Sequence, residues 1–114
     1  MTSTKALPYP AVYVMEGRLM FNAKAAKLFE ASSVRVSKMA PHLFFMPTDV
    51  STGTFQKRSG SKNYGFVIGC RELVRQTGLR PGYYYRLYKA KNGAYAVKTN
   101  EAMTKEEAIN DDRN

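Results

Sequence analysis

With 114 residues, 44% of them apolar, the chain has material for one modest hydrophobic core and not for two independent ones. No apolar run approaches the roughly 18 residues that cross a membrane as a helix, and Met1-Thr2-Ser3-Thr4-Lys5-Ala6-Leu7-Pro8 lacks the apolar stretch of a secretory leader. The net charge of +9 is divided unevenly: residues 1–100 hold 16 Lys/Arg against 4 Asp/Glu, and residues 101–114 hold 2 against 5, so a basic body that favours polyanions ends in an acidic segment.

In chain order, residues 1–10 carry two prolines and read as an irregular lead-in. Ala11-Val12-Tyr13-Val14-Met15 and Arg18-Leu19-Met20-Phe21 are strand candidates separated by Glu16-Gly17. Asn22 stands where a helix N-cap belongs, before the helix formers of 23–30, whose Ala25, Ala26 and Phe29 form an apolar face and leave Lys24 and Lys27 wet. Val34-Arg35-Val36 alternates like a half-buried strand, Met39-Ala40-Pro41-His42 turns, and Leu43-Phe44-Phe45-Met46 returns. Residues 48–63, rich in Ser, Thr and Gly, form a connector in which Thr54-Phe55-Gln56-Lys57 is a short strand candidate. Phe66-Val67-Ile68 is a further strand, and Cys70 to Thr77 about two helical turns ended by Gly78 in a left-handed cap. Arg80-Pro81-Gly82 turns the chain into a hairpin of strands 83–90 and 94–99 around Asn92-Gly93. Thr104-Lys105-Glu106-Glu107 has capping-box spacing and predicts a short C-terminal helix through Ile109.

The order strand, short helix, strand, turn, strand occurs twice. Arg18-Leu19-Met20-Phe21 aligns with Phe66-Val67-Ile68-Gly69 at a shift of about 48 residues, and Leu43-Phe44-Phe45-Met46 with Ala94-Tyr95-Ala96-Val97 at about 51, the difference being Arg80-Pro81-Gly82. Half-repeats of about 11–47 and 64–99 within one domain are therefore expected, joined by the connector and followed by the acidic segment 100–114.

The stretch from Val67 to Lys98 resembles the swapped-hairpin domain of AbrB/SpoVT-type DNA-binding regulators. That family carries a Leu-Gly-Leu-x-x-Gly element between helix and hairpin; Gly78, Leu79 and Gly82 match it, and Thr77 replaces its first leucine. The chain departs from the pattern where Cys70 stands for a helix-opening proline, Val74 for an arginine and Tyr83 for an acidic residue. The resemblance implies a mainly β fold with short helices, in which two βαββ halves close a small pseudo-twofold barrel within one chain. It also implies DNA binding and regulation of transcription. The overall pattern is similar to small proteins of bacteriophages and mobile elements.

Residue chemistry offers little for catalysis. His42 sits in a turn beside Pro41 with no acidic neighbour in sequence. The lone Cys70 excludes an internal disulfide and fits a reducing, cytoplasmic setting; it reads as a packed helix-start residue, the alternative being a thiol activated by the helix and Arg71, for which no catalytic partner is evident. One His and one Cys do not make a zinc site, four body carboxylates do not pair, and Gly60-Ser61-Lys62 lacks the leading glycine of a phosphate loop, position 55 being Phe. A non-enzymatic protein without cofactors is expected.

Cations are better placed. Lys57, Arg58 and Lys62 stand among hydroxyls in the connector, Arg71 and Arg75 share a helix face, and Lys24 and Lys27 are their counterparts in the first helix. Arg35/Arg86 and Lys38/Lys89 recur at equivalent strand positions, and Arg71 and Arg86 are the candidates for reading base edges. Tyr83 and Tyr85 should face one side of their strand and Tyr84, Arg86 and Tyr88 the other, one set being core. The expected partner is double-stranded DNA bound by a monomer or homodimer, with no membrane association. The alternative is an inhibitor or accessory protein of bacteriophage type, anti-host or anti-CRISPR-like, docking on a host protein through the exposed tyrosines.

Overall fold

Period-two alternation builds the first hairpin: β1 (Ala11–Met15) and β2 (Arg18–Asn22) pair with Tyr13 opposite Met20, and the turn between them holds Gly17 at φ +83°. The structure, a computed structural model, describes residues 7–50, 52–59, 64–69 and 71–111. Asn22 then caps α1 (Ala23–Ala26), accepting from the Ala25 N–H. This helix is a single turn, shorter than 23–30; Phe29 follows it in a turn that folds the ring into the core.

β3 (Ser33–Met39) and β4 (His42–Thr48) form the second hairpin. The connector is structured where described. β5 (Phe55–Gln56) pairs with β3, and β6 (Arg58–Ser59) pairs with β7 (Tyr64–Gly69). After β7 come α2 (Arg71–Thr77), β8 (Tyr84–Arg86), β9 (Tyr88–Lys89), a 3-10 turn at Lys91–Gly93, β10 (Tyr95–Lys98) and α3 (Lys105–Ile109). Asn92 and Gly93 take positive φ, 60° and 80°, as the Asn-Gly pair predicts, and the Thr104/Glu107 capping box is formed.

The strands assemble as two antiparallel five-stranded sheets. One has the order β6-β7-β2-β1-β8, the other β5-β3-β4-β10-β9. The expected closed barrel is therefore corrected: the ladder divides at two corners, where a strand leaves one sheet for the other. The first corner is Lys57, between β5 and β6; the second is Leu87, between β8 and β9. Each corner keeps its backbone donor satisfied, Lys57 N–H by Ser32 O (3.1 Å) and Leu87 N–H by Pro10 O (3.0 Å), so the bends leave no orphaned amide. The strand expected over 83–90 is accordingly two strands in two sheets.

Between the sheets lies one aromatic core. Phe21 stacks on Phe66 (4.4 Å between centroids) and meets Phe29 and Phe45 edge-on, and Val12, Val14, Leu19, Leu43, Ile68 and Val97 fill the rest. A smaller cluster of Leu7, Tyr9, Ala11, Met103 and Ala108 seats residues 7–10 and α3 over the β8 side of the first sheet. Tyr9 donates its hydroxyl hydrogen to Ala108 O at 2.6 Å and so ties the lead-in to α3. Among the described residues no helix is long and apolar enough to cross a membrane.

Candidate nucleic-acid interface

β2 and β7 are antiparallel neighbours, paired from Arg18–Gly69 to Phe21–Phe66. α1 follows the end of β2 and α2 the end of β7, so the two helices leave from opposite ends of the same strand pair. Lys24 and Lys27 are exposed at the α1 end. Lys57 belongs to that end too, but its ammonium donates to Phe29 O and stands 5.0 Å from the Phe66 ring centroid, which fastens the connector to the turn after α1. Arg58 is exposed on β6, directly opposite Val67.

At the α2 end, Arg71 and Arg75 are exposed on one helix face and, with Glu16, Gly17, Val74 and Pro81, line a cleft of about 180 Å³. A Cβ at position 17 would stand 3.4 Å from Arg71 Nε, in a left-handed backbone conformation, so glycine there gives the arginine its place against the β1–β2 turn. Arg18, opposite Gly69, adds a third exposed guanidinium at this end. It was not among the residues singled out from sequence, although its position opening β2 with the strand alternation beyond it would have marked it.

Arg86 is committed to the fold. Its Nη1 lies 3.2 Å from Asp111 Oδ2, its guanidinium covers the Tyr9 ring at 4.1 Å, and its side chain is only 11% exposed. The acidic C-terminal segment thus holds one arginine of the body. Among the described residues the only other ion pair is Lys98–Glu101 at 3.8 Å, so Lys24, Lys27, Arg58, Arg71 and Arg75 have no carboxylate partner there. Lys62 and Cys70 lie outside the described residues.

The tyrosines separate. Tyr85 is buried, its hydroxyl oxygen accepting from the Arg80 N–H at 2.9 Å, and burial pushes its pKa above the ordinary value. Tyr83 is half-buried under the Arg80 guanidinium (4.5 Å). Tyr84 lies on the outer face of the first sheet against Tyr13, with centroids 4.6 Å apart. Tyr88, beyond the Leu87 corner, lies on the second sheet, where it donates to Glu101 (2.9 Å) and carries Lys98 at 5.0 Å. The corner is why Tyr84 and Tyr88, two positions of equal parity about Arg86, do not share a surface.

Comparison with protein-family models, with curated proteins and with solved structures returns no match. The resemblance to the AbrB/SpoVT domain thus stands on Gly78, Leu79, Gly82 and the order of elements alone.

For other chemistries the site offers less. His42 stacks on Phe44 (5.7 Å) on the outer face of the second sheet, and among the described residues no three His, Cys, Asp or Glu side chains gather. Among the described residues the strands carry no Asp or Glu, whereas Arg18, Arg35, Lys38, Arg58, Arg86, Lys89 and Lys98 lie on them. Negative charge is confined to turns, helices and the C-terminal segment.

Proposed function

We propose that this chain is a small, non-enzymatic DNA-binding regulator in which Lys24, Lys27, Arg58, Arg71 and Arg75 neutralise phosphates of a duplex. The observation that carries the reading is the placement of exposed cations with no carboxylate partner among the described residues at both ends of the β2–β7 pair: Lys24 and Lys27 on α1 and the turn after it, Arg71 and Arg75 on α2, with Arg58 on the neighbouring strand β6. Two short helices leaving opposite ends of an antiparallel pair, one of a single turn and one of about two, suit the twofold character of duplex DNA. Arg86 drops out of the base-reading set, because freeing it breaks a nearly buried ion pair; Arg71 remains.

The two AbrB-like halves are part of this proposal. Strands equivalent in the repeat, β2 with β7 and β4 with β10, are antiparallel neighbours in their sheets, as a twofold relation between halves requires. The halves differ in their hairpins. Lys38 pairs with Leu43, but Lys89 pairs with Tyr95 rather than with Ala94, a slip of one residue that accompanies the 3-10 turn at Lys91–Gly93.

The test is a titration against random duplex DNA at low and near-physiological salt. Binding should be micromolar and should weaken steeply with salt, and Arg71→Gln should reduce the log–log salt slope by about 1. The double variant Arg58→Glu, Arg71→Glu with unchanged affinity would refute the reading. One observation favours the alternative, docking on a host protein in the manner of a bacteriophage inhibitor: Met39 is 70% exposed beside His42 and in line with Phe44 and Met46 on the outer face of the second sheet. Salt-insensitive binding to a protein with none to DNA selects it.

A further inference from the structure

The outer face of the first sheet carries a row of side chains of which the duplex reading uses only Arg58. Tyr84 lies opposite Tyr13, Tyr13 opposite Met20, Met20 opposite Val67, and Val67 opposite Arg58. Directly opposed residues share a face, so these five cross the whole sheet in one line. The next line is Met15, Arg18 and Gly69. The alternate residues Val12, Val14, Leu19, Phe21, Phe66 and Ile68 fill the core behind.

Among the described residues, only one side of this face is covered. Ala11 is buried by Leu7, Tyr9, Met103 and Ala108, and Tyr84 packs against the same cluster. From Tyr13 onward the side chains of Met15, Met20 and Val67 remain half-exposed, and Arg18 and Arg58 are exposed. The result is an aromatic and thioether strip bounded by two guanidiniums, on strands that contain no carboxylate.

We infer that this strip is a stacking site for the bases of single-stranded nucleic acid, with Tyr13 as the ring and Arg18 and Arg58 as phosphate contacts. The charge selects the occupant: both bounding cations lack a carboxylate partner among the described residues, and a body as basic as this one repels a second copy of itself. The shape selects the single strand. Bases of a duplex are stacked against each other and present only their edges, so a tyrosine on a sheet face reaches a base face only where the strand is unpaired. Stacking tolerates any base, and no base preference is required. The inference rests on the nucleic-acid reading above and adds to it the class of strand bound on this face.

The experiment compares labelled oligo-dT, oligo-U, an abasic strand of equal length and a duplex by fluorescence anisotropy, with the folded full chain. Oligo-dT should bind more tightly than the abasic strand. Tyr13→Leu should weaken oligo-dT about tenfold and leave the abasic strand unchanged, and Tyr13→Phe, which keeps the ring, should retain binding. Phe44→Leu, on the opposite sheet, should have no effect. The oligo-U arm shows whether RNA or DNA is the better source of the unpaired strand. Equal binding of abasic strand and oligo-dT by the wild-type chain overturns the inference without any variant, and with duplex binding intact it leaves the proposed function standing. Failure to bind any nucleic acid overturns both. Self-association in sedimentation that is lost in Tyr13→Leu also overturns it, assigning the face to contact between copies.

Discussion

At the α1 end of the β2–β7 pair the helix lies directly on the strand: a Cβ at Gly65 would stand 2.0 Å from Ala26 Cβ and 2.8 Å from Asn22 O. At the α2 end, four residues along the same strand, Gly69 has nothing within 4 Å of its would-be Cβ, and a cleft opens between α2 and the β1–β2 turn. One strand thus ends in close packing and in open space. The difference separates the cations as well: Lys57 is drawn into the packed end as a backbone clamp, whereas Arg71 and Arg75 stand along the cleft with room for a phosphate. Packing commits a cation to the fold at one end and leaves two exposed along a cleft at the other.

The sharpest way to break this comparison is to add one methyl at each glycine. Gly65→Ala pushes Ala26 and the backbone of Asn22 away from β7, and overpacking against backbone should cost about 3 kcal/mol. Gly69→Ala meets nothing and should change stability by no more than about 0.5 kcal/mol. Urea midpoints of the two variants, measured at equal slope, decide it. Equal losses at both positions would mean that the α1 end is no tighter than the α2 end.

A smaller loss is expected from Asn22→Ala. The Asn22 side chain accepts from the Ala25 N–H (2.9 Å) and the Ala11 N–H (3.2 Å) and donates to Tyr9 O (2.9 Å), so one residue caps α1 and holds the lead-in against β1. Removing it should cost about 2 kcal/mol, at the upper end of the range for helix caps. Thr104→Ala, which dismantles an exposed capping box with no such second role, should cost about 1 kcal/mol. Thermal unfolding of both variants sharpens the comparison; the larger shift for Asn22→Ala is the signature of a cap that also ties two elements together.

These local devices are the part of the molecule that was legible in the chain. The Asn22 cap, the Thr104/Glu107 box, Gly78 and Gly82 at positive φ and the Asn92-Gly93 turn each depend on residues within a few positions of one another. The two corners were not legible, because what bends the chain at Leu87 is the pull of partners far away: β1 on one side and β10 on the other, with Pro10 O receiving the amide between them. For the same reason the ion pair of Arg86 with Asp111 was hidden, and an arginine that resembled a base reader belongs to the packing of the C-terminal segment. That Tyr13 and Met20 share a face required the hairpin register. That Val67 and Arg58 extend the line required the sheet order.

Tyr85 tests the open end more gently. Its hydroxyl oxygen accepts from the Arg80 N–H and so fixes the start of the Arg80-Pro81-Gly82 turn, whose Pro81 forms one wall of the cleft. At neutral pH Tyr85→Phe should cost about 1 kcal/mol, the price of one part-buried hydrogen bond. The larger contrast comes at alkaline pH. Burial raises the folded phenol above its ordinary value of 10.0, more than the Arg80 amide and charge lower it. The unfolded chain therefore releases this proton first. The contribution of Tyr85 is complete below about pH 10 and is lost as pH rises through the folded pKa. Urea midpoints measured from neutral pH to above pH 10 should fall more steeply for the wild-type chain than for Tyr85→Phe. Parallel curves would mean that the hydroxyl ionises as freely in the folded protein as in the unfolded chain, and that the turn beside the cleft is not held by a buried tyrosine.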